Sequence, residues 1–316
     1  MGLYRSAQAV AGASGDGPID WAAVGAAAKS STEPGALALS ADDRRGYERD
    51  VGDARDRVRA VGDVNFDLPE TVEIQNRHHW IDANVATFER VMAPLEEQVG
   101  LFPGVARIAN TATMSVLLAY LSRNVLGQYD PLLLAEAEDA HSLYFVHPNI
   151  QRVARVLDVD EPRFRRWIAF HEVAHAAEFG AAPWLSDHLE EAMETAVAAL
   201  ADGRLERDAL GDLDVTMTAV EGYAELLMDR AFDEEYDDLR RKLDERRASG
   251  GPISTLFRRV LGLGMKRRQY ERGKAFFDAV AAERGVEGAS LVWEQPANLP
   301  TDDELDEPAT WLARVG

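Results

Sequence analysis

The chain has 316 residues, no cysteine, and 34 Lys and Arg against 55 Asp and Glu, a formal net charge of −21. With 46% hydrophobic residues it can bury a sizeable core, which excludes wholesale disorder. The missing cysteines exclude disulfide scaffolds, Cys-ligated zinc, iron–sulfur clusters and thiol catalysis, and the acid excess argues against general nucleic-acid binding.

In chain order, residues 1 to about 70 read as an N-terminal helical appendage with a loose start. The first 34 residues are rich in Ala, Gly and Ser, with a short helix expected over 19–29, and 41–60 alternates acids with arginines as a solvated helix would. The main domain, 71–316, opens with apolar residues at helical spacing over 80–95 (Ile81, Val85, Phe88, Val91, Met92, Leu95). A second helix is expected over 105–126, closed by Gly127. Ser142–Val146 is rich in aromatic and branched residues and is the best strand candidate. Helices follow over 161–179, with Pro162 in the first turn and Gly180 past the end, then over 185–200 and 214–232. A highly charged helix is expected over 234–247 and a glycine-interrupted one over 255–284, before a loop tail closed by Trp311 and Leu312. The chain therefore reads as mostly α (α+β) with a small sheet.

The charge is uneven. The lysines are Lys29, Lys242, Lys266 and Lys274, and the other cations are arginines. Acid excess with scarce lysine suits a salt-rich cytosol, where carboxylates hold water and salt screens their repulsion, so a halophilic host is expected. The first twelve residues lack a basic stretch leading into a long apolar one, and the most apolar run, 111–121, is too short to span a bilayer. A soluble, cytoplasmic protein without a membrane partner is expected.

The stretch that carries chemistry is His171-Glu172-Val-Ala-His175 on a predicted helix. Residues i and i+4 share a face, so both imidazoles reach one metal ion, and Glu172 falls beside its open position, where it can take a proton from a water. With seven His and 27 Glu in the chain, chance supplies this pattern only about 0.01 times. A catalytic zinc needs a third protein ligand. A histidine six residues after His175 would make one pattern, but Ala181 stands there. Glu178 lies on the histidine face, but seven residues of helix from His171 rise about 10 Å, too far for one straight helix to bring all three onto one ion.

The third ligand is therefore expected from the acidic stripe Glu221, Glu225, Asp229 on a packed helix, where buried carboxylates need a partner. Glu221 is read as the ligand and Glu225 as the group that orients one histidine, with their exchange left open. His147, after the candidate strand, and Tyr223 are assigned to substrate binding: Leu143 to Val146 is read as an edge strand that pairs with extended substrate, placing His147 nearby, and Tyr223 and Tyr270 are candidate phenols for an oxyanion. His188 stands near the site in sequence, and His78-His79 read as a cap or surface pair.

These residues carry a resemblance. The segments Val125-Leu-Gly-Gln-Tyr-Asp130, Leu143-Tyr-Phe-Val-His-Pro-Asn-Ile150, Phe164-Arg-Arg-Trp-Ile-Ala-Phe-His-Glu-Val-Ala-His175, Pro183-Trp-Leu185 to His188 and Val220-Glu-Gly-Tyr-Ala-Glu225 resemble the zincin-like zinc-dependent metalloproteases of actinobacteria and archaea, also labelled coenzyme F420 biosynthesis-associated proteins. The likeness covers roughly 75–316 and, with the charge, reads as a haloarchaeal member. It implies a gluzincin-type fold, zinc ligands His171, His175 and Glu221, and a catalytic Glu172. Position 147 departs from the family, where glycine is common.

The function expected is a zinc-dependent hydrolase, a metallopeptidase acting on a peptide or protein substrate. Two readings stand beside it: a catalytically inactive, metal-stabilised binding protein of zincin fold, and an enzyme of coenzyme F420 metabolism. The last would need a phosphate cradle, for which the dense basic patch is Arg258-Arg259 with Lys266-Arg267-Arg268.

Overall fold

Side-chain caps start several helices. The computed structural model describes residues 17–62, 66–69, 71–92, 103–130, 142–201, 207–232 and 267–316, with a few isolated positions besides. Helix α1 (Trp21–Ser31) follows Asp20, whose carboxylate accepts the Ala23 N–H at 2.9 Å. After α2 (Ala41–Gly62) and strand β1 (Thr71–Gln75), Asn76 caps α3 (Arg77–Val91) by accepting from the amides of His78 and His79. Next come α4 (Pro103–Ser122), β2 (Gly127–Asp130) and β3 (Ser142–Val146). α5 (His147–Leu157) starts where β3 stops, with Pro148 in its first turn, and ends at Asp158 in the left-handed conformation, φ 51°. Asp160 then caps α6 (Glu161–Ala181), its carboxylate accepting from the Arg163 amide. The remaining helices are α7 (Leu185–Ala201), α8 (Arg207–Ala231), α9 (Arg267–Ser290), α10 (Asp302–Asp306) and α11 (Pro308–Val315). The chain is mostly helical, as expected, with one small sheet among the described residues.

The sheet order is β1-β3-β2, with β1 parallel and β2 antiparallel to β3. This corrects the sequence reading of Leu143 to Val146 as an edge strand. β3 is the central strand, with backbone partners on both sides, and β1 and β2 are the outer strands among the described residues. β1 and β2 were not expected. Each is five residues or shorter, and Gly127, read as a helix terminator, begins β2, because α4 already ends at Ser122.

Two clusters of apolar residues form the interior. The larger joins Tyr47, Val51 and Val58 of α2 to Leu143 and Phe145 of β3, to the buried faces of α5, α6, α8 and α9, and to Trp293 and Trp311 near the C-terminus. The smaller joins Trp21 and Val24 of α1 to Trp80 and Ile81 of α3 and Leu118 and Leu121 of α4. The segment before residue 70 thus supplies α1 to one cluster and α2 to the other, where α2 lies along α6.

α8 is buried on every side from Thr218 to Met228, as its mixed acidic and apolar sequence predicted. It meets α9 at two glycines. A Cβ on Gly222 would stand 2.5 Å from the Gly273 carbonyl carbon, and one on Gly273 would strike the Thr218 carbonyl oxygen, so the two backbones touch only because neither residue has a side chain. Among the described residues no helix is long and apolar enough to cross a membrane. Most of the charged helix expected over 234–247, all of 255–266 and the side chains of the basic patch lie outside the described residues.

Candidate metal centre

The HExxH segment lies in the middle of α6, whose residues from Phe164 to Phe179 are mostly buried. His171 and His175, one turn apart, bring their Nε2 atoms to 3.3 Å. α8 crosses α6 and brings Glu221 Oε2 to 3.8 Å from His171 Nε2. The ligating atoms of His171, His175 and Glu221 all lie within 4.8 Å of one another. Ligands at zinc distances around a tetrahedral ion stand about 3.3 Å apart, so this set fits one ion with modest adjustment of Glu221.

Outer contacts hold both rings. Trp167, one turn before His171, lies parallel to its ring with centroids 5.8 Å apart, and Phe164 stacks in turn on Trp167. His175 Nδ1 meets Glu178 Oε2 at 2.8 Å. Glu178 is 0% exposed, and burial pushes its carboxyl well up, with the Ala224 amide opposing. Glu225, one turn after Glu221, is buried too, and the stripe ends at Asp229, which Lys274 of α9 meets at 2.8 Å.

Glu172, near enough to feel the charges of His175 and Glu221, lies against β2. The Tyr129 amide donates to its Oε2 at 2.9 Å. The register explains why that amide is available. Val146 N–H donates to Leu126 C=O, so residues 126, 128 and 130 face β3, while Gly127 and Tyr129 turn their backbone groups outward. A Cβ at Gly127 would stand 2.5 Å from Glu172 Cγ and Oε1. The Tyr129 ring packs on Phe179 of α6, and Gln128 is tied to α3 by Trp80 Nε1 at 2.7 Å and Asn84 at 3.0 Å. Burial raises the Glu172 carboxyl to about 7, against the pull of His175 and the Tyr129 amide, with Glu221 adding to the rise.

The other sequence candidates lie elsewhere. His147 is 3% exposed at the start of α5, its Nδ1 3.0 Å from the Tyr47 hydroxyl, and burial lowers its pKa. Tyr223 is 1% exposed between Phe277 and Trp293, and burial raises its phenol. Both side chains are enclosed in this arrangement. His188 Nε2 lies 3.2 Å from Thr216 Oγ1. The Tyr270 side chain is outside the described residues. The residues the sequence reading passed over are Glu178, whose spacing of three from His175 was the signal, and Gly127 and Tyr129, which no local spacing links to α6.

The sequence profile of the zincin-like metallopeptidases matches residues 19–207 and 196–312. The chain belongs to the zincin-like metallopeptidase family. Membership implies zinc binding, and His171, His175 and Glu221 are the group among the described residues that could hold a metal ion. A solved structure is similar over the whole length: a candidate hydrolase with a novel fold from Chloroflexus aurantiacus, 29% identical, covering 99% of this chain and 97% of its own, with a TM-score of 0.71. No curated protein matches the chain at a significant level. Family and structural relative together indicate a hydrolase.

Proposed function

We propose that this zincin-like protein is a zinc metallopeptidase of gluzincin type. The observation that carries the reading is the convergence of His171 and His175 from α6 with Glu221 from α8, while Glu172 stands beside them with a raised carboxyl. Zinc held by these three residues would polarise a scissile carbonyl and make a water acidic enough to give up its proton near neutrality. Glu172 is the general base. Its buried carboxyl can accept a proton and pass it to the leaving amine. Glu225, buried one turn beyond Glu221, is assigned to orient one of the two histidines.

The outer edge of β2 runs past Glu172 and takes over the role the sequence reading gave to β3. Gly127 turns its backbone groups outward, and Tyr129 its carbonyl, where an extended peptide can pair with them while the Tyr129 amide stays on Glu172. The acid-rich surface disfavours nucleic acid as substrate.

The test is metal analysis of purified protein joined to a peptide-library cleavage screen in multimolar salt. One zinc per chain, with cleavage that disappears in Glu172→Gln while zinc stays, is expected. A Glu172→Gln variant as active as the parent would sink the mechanism. Stoichiometric zinc with no turnover on any library would favour a metal-stabilised binding protein instead.

A further inference from the structure

Glu178 is an enclosed acid for which the proposed hydrolysis has no task. Three residues after His175 on α6, it shares that residue's face. Its Oε2 lies 2.8 Å from Nδ1, while Nε2 of the same ring points at the His171–Glu221 side, 3.3 Å from His171 Nε2. The ring is gripped from behind, and its other nitrogen faces the cluster.

A neutral imidazole has one N–H and one lone pair, and only the nitrogen with the lone pair can ligate. Burial alone favours a neutral Glu178, which would donate to Nδ1; with Nε2 on a metal the neutral ring's one proton is at Nδ1, and Glu178 is then the acceptor that keeps it there. We infer that Glu178 is a positioning residue that holds the proton of His175 on Nδ1 and so presents the Nε2 lone pair to the metal. This rests on the zinc reading of the site. A carboxylate buried this deeply is costly without a donor, and the Nδ1–H of a metal-bound ring, made more acidic by the ion, is a strong one. His171 lies flat against Trp167, while His175 is gripped at Nδ1 by Glu178.

Zinc affinity of the full chain, measured by competition with a chromogenic chelator, is expected to fall about tenfold or more in Glu178→Gln, within the roughly 10–100-fold range for such partners. Thermal melting of metal-free Glu178→Gln is expected to be unchanged or raised, because a neutral isostere removes a buried carboxylate. A residue with only a structural role would give the opposite pair, a lower melting temperature with unchanged affinity, and that result overturns the inference. A second measurement needs no variant: long-range proton–nitrogen spectra of the zinc-loaded parent should show His175 protonated at Nδ1 and ligated through Nε2. Ligation through Nδ1 overturns the assignment of Glu178 and leaves the zinc reading standing. A parent that binds no zinc overturns both.

Discussion

Gly127 of β2 lies against the side chain of Glu172 so closely that no Cβ fits between them. The glycine lets the strand edge touch the proposed base, and the Tyr129 amide then fixes the carboxylate at 2.9 Å. Adding one methyl group in Gly127→Ala must push Glu172 off that edge. A displacement of about 1 Å in a catalytic group costs on the order of 10²-fold in rate. Peptide cleavage by Gly127→Ala should fall by about that factor while zinc content stays at the parent level. Unchanged kcat/KM would show that Glu172 does not work from this position.

The pH dependence of the metal-free protein follows from the same burial. Glu172 rises from the ordinary 4.5 to about 7, first through burial, with His175 and the Tyr129 amide opposing. The folded chain then binds this proton more tightly than the unfolded chain. Its stabilising effect is complete below about pH 4.5 and is lost as pH rises through about 7, for a total of at most about 3 kcal/mol. Urea titrations of chelator-treated protein should show the parent losing more stability than Glu172→Gln between those limits. Parallel curves would contradict the raised carboxyl.

Tyr223 offers a prediction of the opposite kind. Its ring is packed on Phe277 and Trp293, and its hydroxyl is buried without a hydrogen-bond partner among the described residues. Tyr223→Phe should leave kcat unchanged and hold or raise stability by about 1 kcal/mol, since an unsatisfied buried hydroxyl is lost. A fall in kcat of an order of magnitude or more would restore it as an oxyanion donor.

The active helix is anchored by a buried ion pair. Arg165 of α6 donates to Asp50 of α2 at 2.7 Å, and its guanidinium lies over the Tyr47 ring, whose hydroxyl meets His147. Asp50→Ala leaves Arg165 charged and enclosed, and should cost about 3–5 kcal/mol in chemical denaturation. A loss under 1 kcal/mol would mean that water reaches the arginine.

Much of this was legible in the sequence because it is local. The i, i+4 spacing of His171 and His175, and of Glu221 and Glu225, is a property of one helix, and the mixture of acids with Val220, Ala224 and Leu227 marked α8 as packed. What stayed hidden depends on tertiary contact. A four-residue strand such as Gly127–Asp130 has too few positions for period two to stand out, and its relation to Glu172 spans more than forty residues of chain. β3 showed its composition but not its neighbours, so its place at the centre of the sheet could not be read. Glu178 was weighed only as a ligand, and a rise of about 10 Å from His171 ruled that out. The contact with the back of His175, one turn away, needs no such reach.

The Gly222–Gly273 contact has a consequence for when the site comes into being. Glu221 belongs to a helix whose seat is the bare backbone of α9, far downstream in the chain. A nascent chain that has released α6 already has both histidines, while Glu221 and the α9 backbone beside its helix are still to come, although α2, α6 and α7 already offer that helix part of its seat. The three candidate ligands therefore come together only once α8 has been made, and the tightest backbone contact of that helix forms only once α9 has.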